Sequence, residues 1–316
     1  MEEFLSLNPK DEAPIDVYNY LVSAVAPRPI AFASTISKEG QVNLSPFSFF
    51  NVISANPPML IFSPVNRGKD GSKKDTLLNI EETKEVVINI VNYEMVQQMS
   101  LSSADYPRGV NEFEKAGFTM LESEKIKAFR VKEAPVQFEC TVKDIITIAP
   151  NGGAGNIIIC EIVEMHFNKN ILSAKNRIDP YKIDLVARAG GNFYSRAQTG
   201  YFEIAKPFAA LGIGFDNLPK EILNSKILSG NDLGKLASVE TLPNEEEIKD
   251  FKNNIKSDRN SHELAKAYLE KDEIIKSNLP VVGYSSNLLF IMSYLKFAFK
   301  LFTALIITKV LSSFNK

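Results

Sequence analysis

The chain has 316 residues, 45% hydrophobic and 23% charged, with a formal net charge of -2 at pH 7. These values are typical of an ordinary globular protein. Because nucleic-acid-binding proteins usually carry a clustered basic face, the near-neutral charge and scattered lysines indicate no nucleic-acid partner. The acidic start, Met1-Glu2-Glu3-Phe4, lacks the basic and apolar pattern of a secretion signal, so a cytoplasmic protein is expected.

The first two hundred residues are predicted to be mostly β-structure. Runs rich in β-branched and aromatic residues are separated by Gly, Pro and Asn clusters. Many strands with few, short helices favour an antiparallel barrel over a doubly wound sheet, which needs regular strand–helix alternation. Strands are predicted at 30–36, 58–65, 85–91, 137–149 and 156–167, and short helices at 75–80, at 93–102 and from Ser123.

A polar-aromatic stretch, Asn43-Leu44-Ser45-Pro46-Phe47-Ser48-Phe49-Phe50-Asn51, follows the first predicted strand. Small polar groups can hydrogen-bond a ligand, and the aromatic rings can form a wall for a flat ring system. Pro46 argues against a central strand, since proline cannot donate to a sheet ladder. Two interpretations stay open at this point: a wall for a planar cofactor with a phosphate tail, or a strand end with core phenylalanines.

A second candidate segment combines positive charge with a helix start. Arg67 and Lys74 precede Asp75 or Thr76, either of which is predicted to cap a helix running into Leu77. The free amides of such a helix start, with the two cations and the Thr76 hydroxyl, could cradle a phosphate. The alternative is a helix cap beside surface lysines.

The two cysteines and two histidines indicate no disulfide and no metal site. If the two long strands at 137–149 and 156–167 pair as a hairpin, opposite residues have numbers summing to about 305. Cys140 and Cys160 would then be ~15 Å apart along the strand, too far for a disulfide, as expected for free thiols in a reducing cytoplasm. His166 and His262 are distant in sequence and adjoin no cysteine, so structural roles are expected.

The C-terminal part of the chain differs from the predicted β-region before it. It consists of a predicted helical segment followed by an apolar tail. From residue 208 the chain is rich in helix-capping residues, which predicts a helical extension over 208–279. The tail, 280–316, contains an apolar run at 288–308 whose polar residues fall on one side of a helix. A membrane-surface helix, a helix docked on protein and a tail without function all fit this pattern. The polar stripe consists of Ser293, Lys296, Lys300 and Thr303.

An ordered set of short motifs gives the chain a family resemblance. Residues 18–207 resemble the flavin reductase-like family of FMN-binding split barrels, which includes flavoredoxin and small-molecule flavin reductases. Residues 213–243 are similar to the extension of longer bacterial members. The motifs are Ala26-Pro27-Arg28-Pro29 leading into Ser34-Thr35, Gly40, the polar-aromatic stretch, Asn56-Pro57-Pro58, and Arg67 followed by Lys74-Asp75-Thr76.

The resemblance implies a mainly β, α+β fold: a Greek-key antiparallel split barrel with helical insertions and a helical C-terminal extension. Together with the composition changes at 208 and 280, it predicts a division into a barrel at 1–207, an extension at 208–279 and the tail at 280–316. Members of the family are usually homodimers that bind FMN near the subunit interface, so flavin, a nicotinamide and a second copy of the chain are the expected partners.

The resemblance also assigns site residues. It implies that a glycine pair approaches the ring side, although a plain turn is the alternative. Relatives often carry His before this pair, where the chain has Arg188 and Ala189. The flavin would be lined by Ser34, Thr35, Asn43, Ser45, Pro46, Phe47 and Ser48; its phosphate by Arg67, Lys74, Asp75 and Thr76; and its ring side by Gly190 and Gly191.

The implied function is that of an NAD(P)H:flavin oxidoreductase, in which flavin N5 accepts hydride and no side chain is required as a catalytic acid or base. Two alternatives stay open: a flavoredoxin-like FMN electron carrier reduced by a protein donor, and a non-enzymatic FMN binder. The sequence does not distinguish NADH from NADPH.

Overall fold

Seven antiparallel strands form the main sheet of the computed structural model, which describes residues 3–204, 211–239 and 261–270. The spatial order is β2-β1-β5-β8-β9-β4-β3, and every adjacent pair is antiparallel. The strands of this sheet are β1 Ala31–Ile36, β2 Val42–Phe47, β3 Phe50–Ala55, β4 Pro58–Phe62, β5 Glu85–Ile90, β8 Val136–Thr147 and β9 Asn156–Phe167. Two short hairpins add β6 Met120–Leu121 with β7 Arg130–Val131, and β10 Val186–Arg188 with β11 Tyr194–Arg196.

The helices are short and lie between the strands along the chain. In the first two hundred residues they are α1 Pro14–Ala24, α2 Asp75–Thr83, α3 Val96–Leu101, α4 Glu112–Ala116 and α5 Pro180–Ile183. The five strands predicted from sequence, and the helices predicted at 75–80 and 93–102, are confirmed within a few residues.

The helix predicted from Ser123 is wrong. In its place the chain turns so that the backbone amides of Glu124 and Lys125 donate to the carboxylate of Glu139, at 2.8 and 2.7 Å. Glu139 is fully buried on β8. Because a buried carboxylate needs hydrogen-bond donors, it recruits these amides at the expense of helical hydrogen bonds.

The polar-aromatic stretch runs along β2, through a short connection at Ser48 and Phe49, and into β3. Both strands lie at edges of the sheet order, β2 at one end and β3 at the other. Pro46 sits in β2 opposite Phe32 of β1, where an edge strand tolerates the missing amide donor. The structure therefore agrees with the expectation that Pro46 does not lie in a central strand.

Burial of α2 on the sheet determines where this helix begins. Leu77 and Ile80 of α2 are fully buried with Ala33 of β1 and Phe62 of β4 in one hydrophobic cluster. Removing such side chains from water contributes roughly 1.5–3 kcal/mol each. This packing fixes the N-terminus of α2 beside β1 and β2.

The two cysteines lie closer together than the sequence predicts. Cys140 pairs with Ile162, and Cys160 with Val142, so that opposite numbers sum to 302 at these positions. The pairs on either side sum to 303 rather than the predicted 305, and register shifts between Glu139 and Cys140 and after Val142 lower the sum by one more. The predicted ~15 Å separation is wrong. Both thiols are buried and free, and a hydrogen bond to Cys160 together with burial raises the pKa of Cys140 well above its ordinary value of 9.0.

The chain divides between Phe202 and Glu203 into two compact units. The described part of the second unit contains α6 Lys220–Leu223, α7 Gly230–Ala237 and α8 Ser261–Glu270, which share an apolar cluster including Ile222, Leu236 and Leu269. The tail at 288–308 lies outside the described residues, and the division at 207 and 279 stays a prediction. Within the described residues, no helix combines the length and apolar character needed to cross a bilayer.

The loop that carries Arg67 is attached to the turn between β8 and β9. The side-chain amide of Asn66 donates to the carbonyl oxygens of Ala149, Pro150 and Asn151 at 3.4, 3.4 and 3.2 Å. A Cβ atom on Gly152 would lie 2.9 Å from the carbonyl oxygen of Gly68, so the two backbones meet without room for a side chain.

We expect Gly152→Ala to destabilise the protein by about 1–3 kcal/mol, because the contacting atoms belong to the backbone and cannot move aside cheaply. Thermal unfolding followed by circular dichroism measures the effect. Gly68→Ala is the matched control, since a Cβ there meets nothing within 4 Å. Equal melting temperatures for the two variants would contradict the tight contact.

Candidate functional site

The N-terminus of α2 lies beside a cluster of charged side chains and has no side-chain cap. Lys74 occupies the N-cap position, with no hydrogen bond from its side chain to the helix. The predicted capping by Asp75 or Thr76 is wrong, because both side chains have other partners. The first-turn amides therefore have no capping side chain within the described part of the chain, which leaves donors for an anion.

Three cations and two carboxylates surround this helix start. Arg67 pairs with Asp75 and with Asp105, each at 3.0 Å. Lys74 lies 3.7 Å from Asp105, and Arg108 lies 3.0 Å from Asp75. Desolvation opposes the charge on Arg67, but its hydrogen bonds to the two carboxylates raise its pKa overall. The five side chains carry one net positive charge.

A buried polar network connects α2 to β1 and β2. The Thr76 hydroxyl donates to Asn43 Oδ1 at 3.0 Å, and Asn79 Nδ2 donates to Thr35 Oγ1 at 3.2 Å. All four side chains are buried. Thr35, Asn43 and Thr76, which the resemblance assigns to the flavin, are thus brought together, with their polar atoms bonded to protein groups. Asn79 was missed, although its position three residues after Thr76 places it on the same helix face.

Glu112 of α4 completes the network from the other side. Its carboxylate accepts the backbone amide of Leu44 at 3.0 Å and the side-chain amide of Asn43 at 3.4 Å. Burial raises the pKa of Glu112 above its ordinary value of 4.5, although the bond from Leu44 opposes the shift. No sequence pattern connects Glu112 with Asn43, since 69 positions separate them.

The end of β2 is open to a ligand. Ser45, Pro46, Phe47 and Ser48 are each partly exposed, in contrast to the buried Asn43. The Phe47 ring packs on that of Phe62 with centroids 5.7 Å apart. Along β2, Ser45 and Phe47 point to one face and Pro46 to the other, and all of them keep some exposure near the strand end.

Arg28 connects this surface to two other elements. Its guanidinium donates to Ser48 Oγ at 3.4 Å, to Val25 O at 2.6 Å and to Ala189 O at 3.4 Å, and it also bonds Val22 O. Arg28 is 7% exposed, and burial lowers its pKa. The side chain thereby joins the end of α1, the β2–β3 turn and the glycine-pair loop, a role that the sequence did not predict.

Three assigned site residues, Ser34, Gly190 and Gly191, belong neither to the charged cluster at α2, nor to the buried polar network, nor to the end of β2. Ser34 neighbours Thr35 on β1, and successive side chains of a strand point to opposite faces. Its buried hydroxyl has no hydrogen-bond partner in the described structure. A Cβ on Gly190 would collide with Ser23 of α1, so its close approach is to that helix, whereas Gly191 has a φ of +56° that favours glycine.

The assembled residues fit a flavin mononucleotide in two respects. Uncapped amides and a net positive charge at α2 suit a phosphate, and the partly exposed polar-aromatic surface at the end of β2 suits a ring system. Within the described residues, no group of three or more His, Cys, Asp or Glu side chains could hold a metal ion.

Comparison with known proteins finds related domains. A family model described as flavin reductase like domain matches residues 23–181. An uncharacterized protein from Aquifex aeolicus is 39% identical over 181 residues, which cover 57% of this chain and 90% of the relative.

Two solved structures share the fold. Nitrilotriacetate monooxygenase component B from Bacillus cereus is 32% identical with a TM-score of 0.61, covering 65% of this chain and all of that one. A Shewanella frigidimarina protein inferred to be a flavin reductase with a split barrel domain is 26% identical with a TM-score of 0.53, covering 63% of this chain and 96% of that one. The predicted split barrel is confirmed.

The raised pKa of Glu112 predicts a pH-dependent contribution to stability. The folded state holds the Glu112 proton more tightly than the unfolded state, so this contribution is complete below the ordinary pKa of 4.5 and declines as pH rises through the raised value. Relative to Glu112→Gln, the wild type should therefore lose free energy of unfolding across that window, as urea titrations at several pH values would show.

The exposed Glu114 on the same helix provides the control, Glu114→Gln. A stability difference between wild type and Glu112→Gln that does not change with pH would contradict the raised pKa.

Proposed function

Because the chain belongs to the flavin reductase-like family, we propose that it is an FMN-binding, NAD(P)H-dependent flavin reductase. Flavin binding and oxidoreductase chemistry follow from the family. One observation supports the proposed site above all others: the charged, uncapped start of α2 is joined through the Thr76–Asn43 hydrogen bond to β2, whose end carries the polar-aromatic surface. One strand and one helix thus present a ring-binding surface and an anion-binding surface.

In this proposal, bound FMN supplies hydride acceptance at N5, and the protein supplies binding, orientation and exclusion of water. Ser45, Pro46, Phe47 and Ser48 hold the ring and its ribityl chain. No side chain acts as a catalytic acid or base. Ser34, Gly190 and Gly191 complete the surroundings of the ring, as the resemblance implies, with Gly190 also allowing the loop to approach α1.

At the phosphate end, Arg67, Lys74 and the first-turn amides of α2 make the direct contacts. Asp75 carries the same sign of charge as a phosphate, so its contribution is to orient Arg67 and Arg108, each 3.0 Å away. Thr76, Asn43 and Thr35 contribute from beneath by fixing α2 against the sheet. This divides the assigned residues into those that touch the ligand and those that position the elements that do.

We also propose a homodimer, as the resemblance implies. Large exposed apolar side chains on the edge strand β3 support this, with Val52 63% and Ile53 49% exposed. An edge strand with exposed apolar groups is a common site of association.

The proposed reaction predicts oxidation of NADH or NADPH by the purified protein when free FMN is added. Loss of nicotinamide absorbance measures the rate, and reactions without protein or without FMN are the controls. Tight FMN binding without oxidation of either donor would contradict the nicotinamide-dependent reaction and favour an electron carrier reduced by a protein. A protein that FMN fails to stabilise against heat would exclude the flavin site itself, since ligand at 100 times its dissociation constant adds about 2.7 kcal/mol.

A further inference from the structure

Asp105 contacts both of the cations that the proposed function assigns to phosphate. It lies in the loop between α3 and α4, three residues before Arg108. A single carboxylate oxygen, Oδ1, is 3.0 Å from Arg67 Nε and 3.7 Å from Lys74 Nζ. A guanidinium and an ammonium converging on one anionic oxygen is the arrangement expected around a phosphate oxygen.

Nothing else in the described structure holds the Asp105 side chain. Its side chain is 68% exposed, and its second oxygen, Oδ2, has no hydrogen-bond partner among the described residues. Hydrogen bonding to Arg67 and the charge of Lys74 lower its pKa, so the group is an anion at neutral pH. The carboxylate is therefore able to leave the two cations without breaking other bonds.

Arg108 holds the same loop in place independently of Asp105. Its guanidinium bonds the Asp75 carboxylate at 3.0 Å and the Asn79 side-chain oxygen at 3.4 Å. Because these bonds use neither Arg67 nor Lys74, the loop remains attached to α2 when the Asp105 carboxylate moves.

We propose that Asp105 is a specificity-determining residue, which competes with the phosphate of the ligand for Arg67 and Lys74. The Nε–H of Arg67 cannot point at the carboxylate and at a phosphate oxygen with good geometry in both bonds. Binding of a phosphorylated flavin therefore requires displacement of Asp105, whereas binding of a flavin without phosphate does not. Asp105 thus weakens the preference for FMN over riboflavin. This inference rests on the proposed flavin site.

The test is to titrate wild type and Asp105→Asn with FMN and with riboflavin, following flavin fluorescence. Asparagine keeps the size of the side chain and removes its charge. We expect Asp105→Asn to bind FMN about two- to fivefold more tightly, a range suited to exposed ion pairs, and riboflavin with unchanged affinity. Added salt should reduce the FMN difference by screening.

Asp70→Asn is the matched control for loss of one negative charge. Asp70 lies on the loop that carries Arg67, where its carboxylate accepts the amide of Ser72 at 2.9 Å and forms no ion pair with Arg67 or Lys74. This variant should bind both flavins as the wild type does. Weaker FMN binding by Asp105→Asn would overturn the proposal and make Asp105 a residue that positions the cations, and an equal gain for both flavins would overturn it too.

Inorganic phosphate separates this inference from the proposed function. If the wild type binds neither flavin, the proposed function fails. Competition at the two cations would still predict that phosphate raises the melting temperature of Asp105→Asn more than that of the wild type. Equal shifts in the two proteins would overturn the competition as well.

Discussion

The packing of α2 against the sheet is the constraint on which the rest of the site depends. Leu77 and Ile80 have no solvent exposure, so this helix cannot shift along β1 without exposing apolar surface or opening a cavity. The hydrogen bond from Thr76 to Asn43 then fixes its rotation and its distance from β2. The positions of Lys74 and the first-turn amides follow from these two interactions.

Because the polar network beneath the site is buried, it favours one arrangement of α2 on the sheet. A polar group without a partner costs about 1–3 kcal/mol in a protein interior, so the buried amides and hydroxyls of Thr35, Asn43, Thr76 and Asn79 must match one another. Glu112 accepts the side-chain amide of Asn43 and the backbone amide of Leu44, and its burial there raises its pKa. Such a network favours one register of α2 over β1 and β2, which hydrophobic contacts alone specify less well. The residues of the proposed ring-binding surface can then stay partly exposed.

Much of the fold follows from local sequence patterns. Periodicity, β-branched residues and turn clusters located the long strands and α2, because those signals act over a few neighbouring residues. The motif set proposed Arg67, Lys74 and the polar-aromatic stretch as candidates for the flavin site, and this assignment stays a prediction. The helix predicted from Ser123 failed because a buried carboxylate elsewhere in the chain, Glu139, takes the amides of that segment.

Contacts between residues distant in sequence explain the other differences between the predictions and the structure. Glu112 on α4, and Arg28 and Asp105 in loops, contact residues of the candidate site that are distant in sequence. A single sequence contains no spacing that reveals such contacts. The separation of Cys140 and Cys160 depends on the register of the whole hairpin and on two local register shifts, neither of which the sequence of the turn determines. Alternation along a strand could have shown that Ser34 and Thr35 face opposite sides, so that one of them lies away from the buried network.

The central claim is that the end of β2 and the start of α2 together hold FMN, and flavin fluorescence tests it most directly. Purified wild-type protein titrated into FMN and, separately, into riboflavin should change the fluorescence of both in a saturable manner, with FMN bound more tightly through its phosphate. Fluorescence of FMN that stays unchanged when protein exceeds flavin would contradict the account.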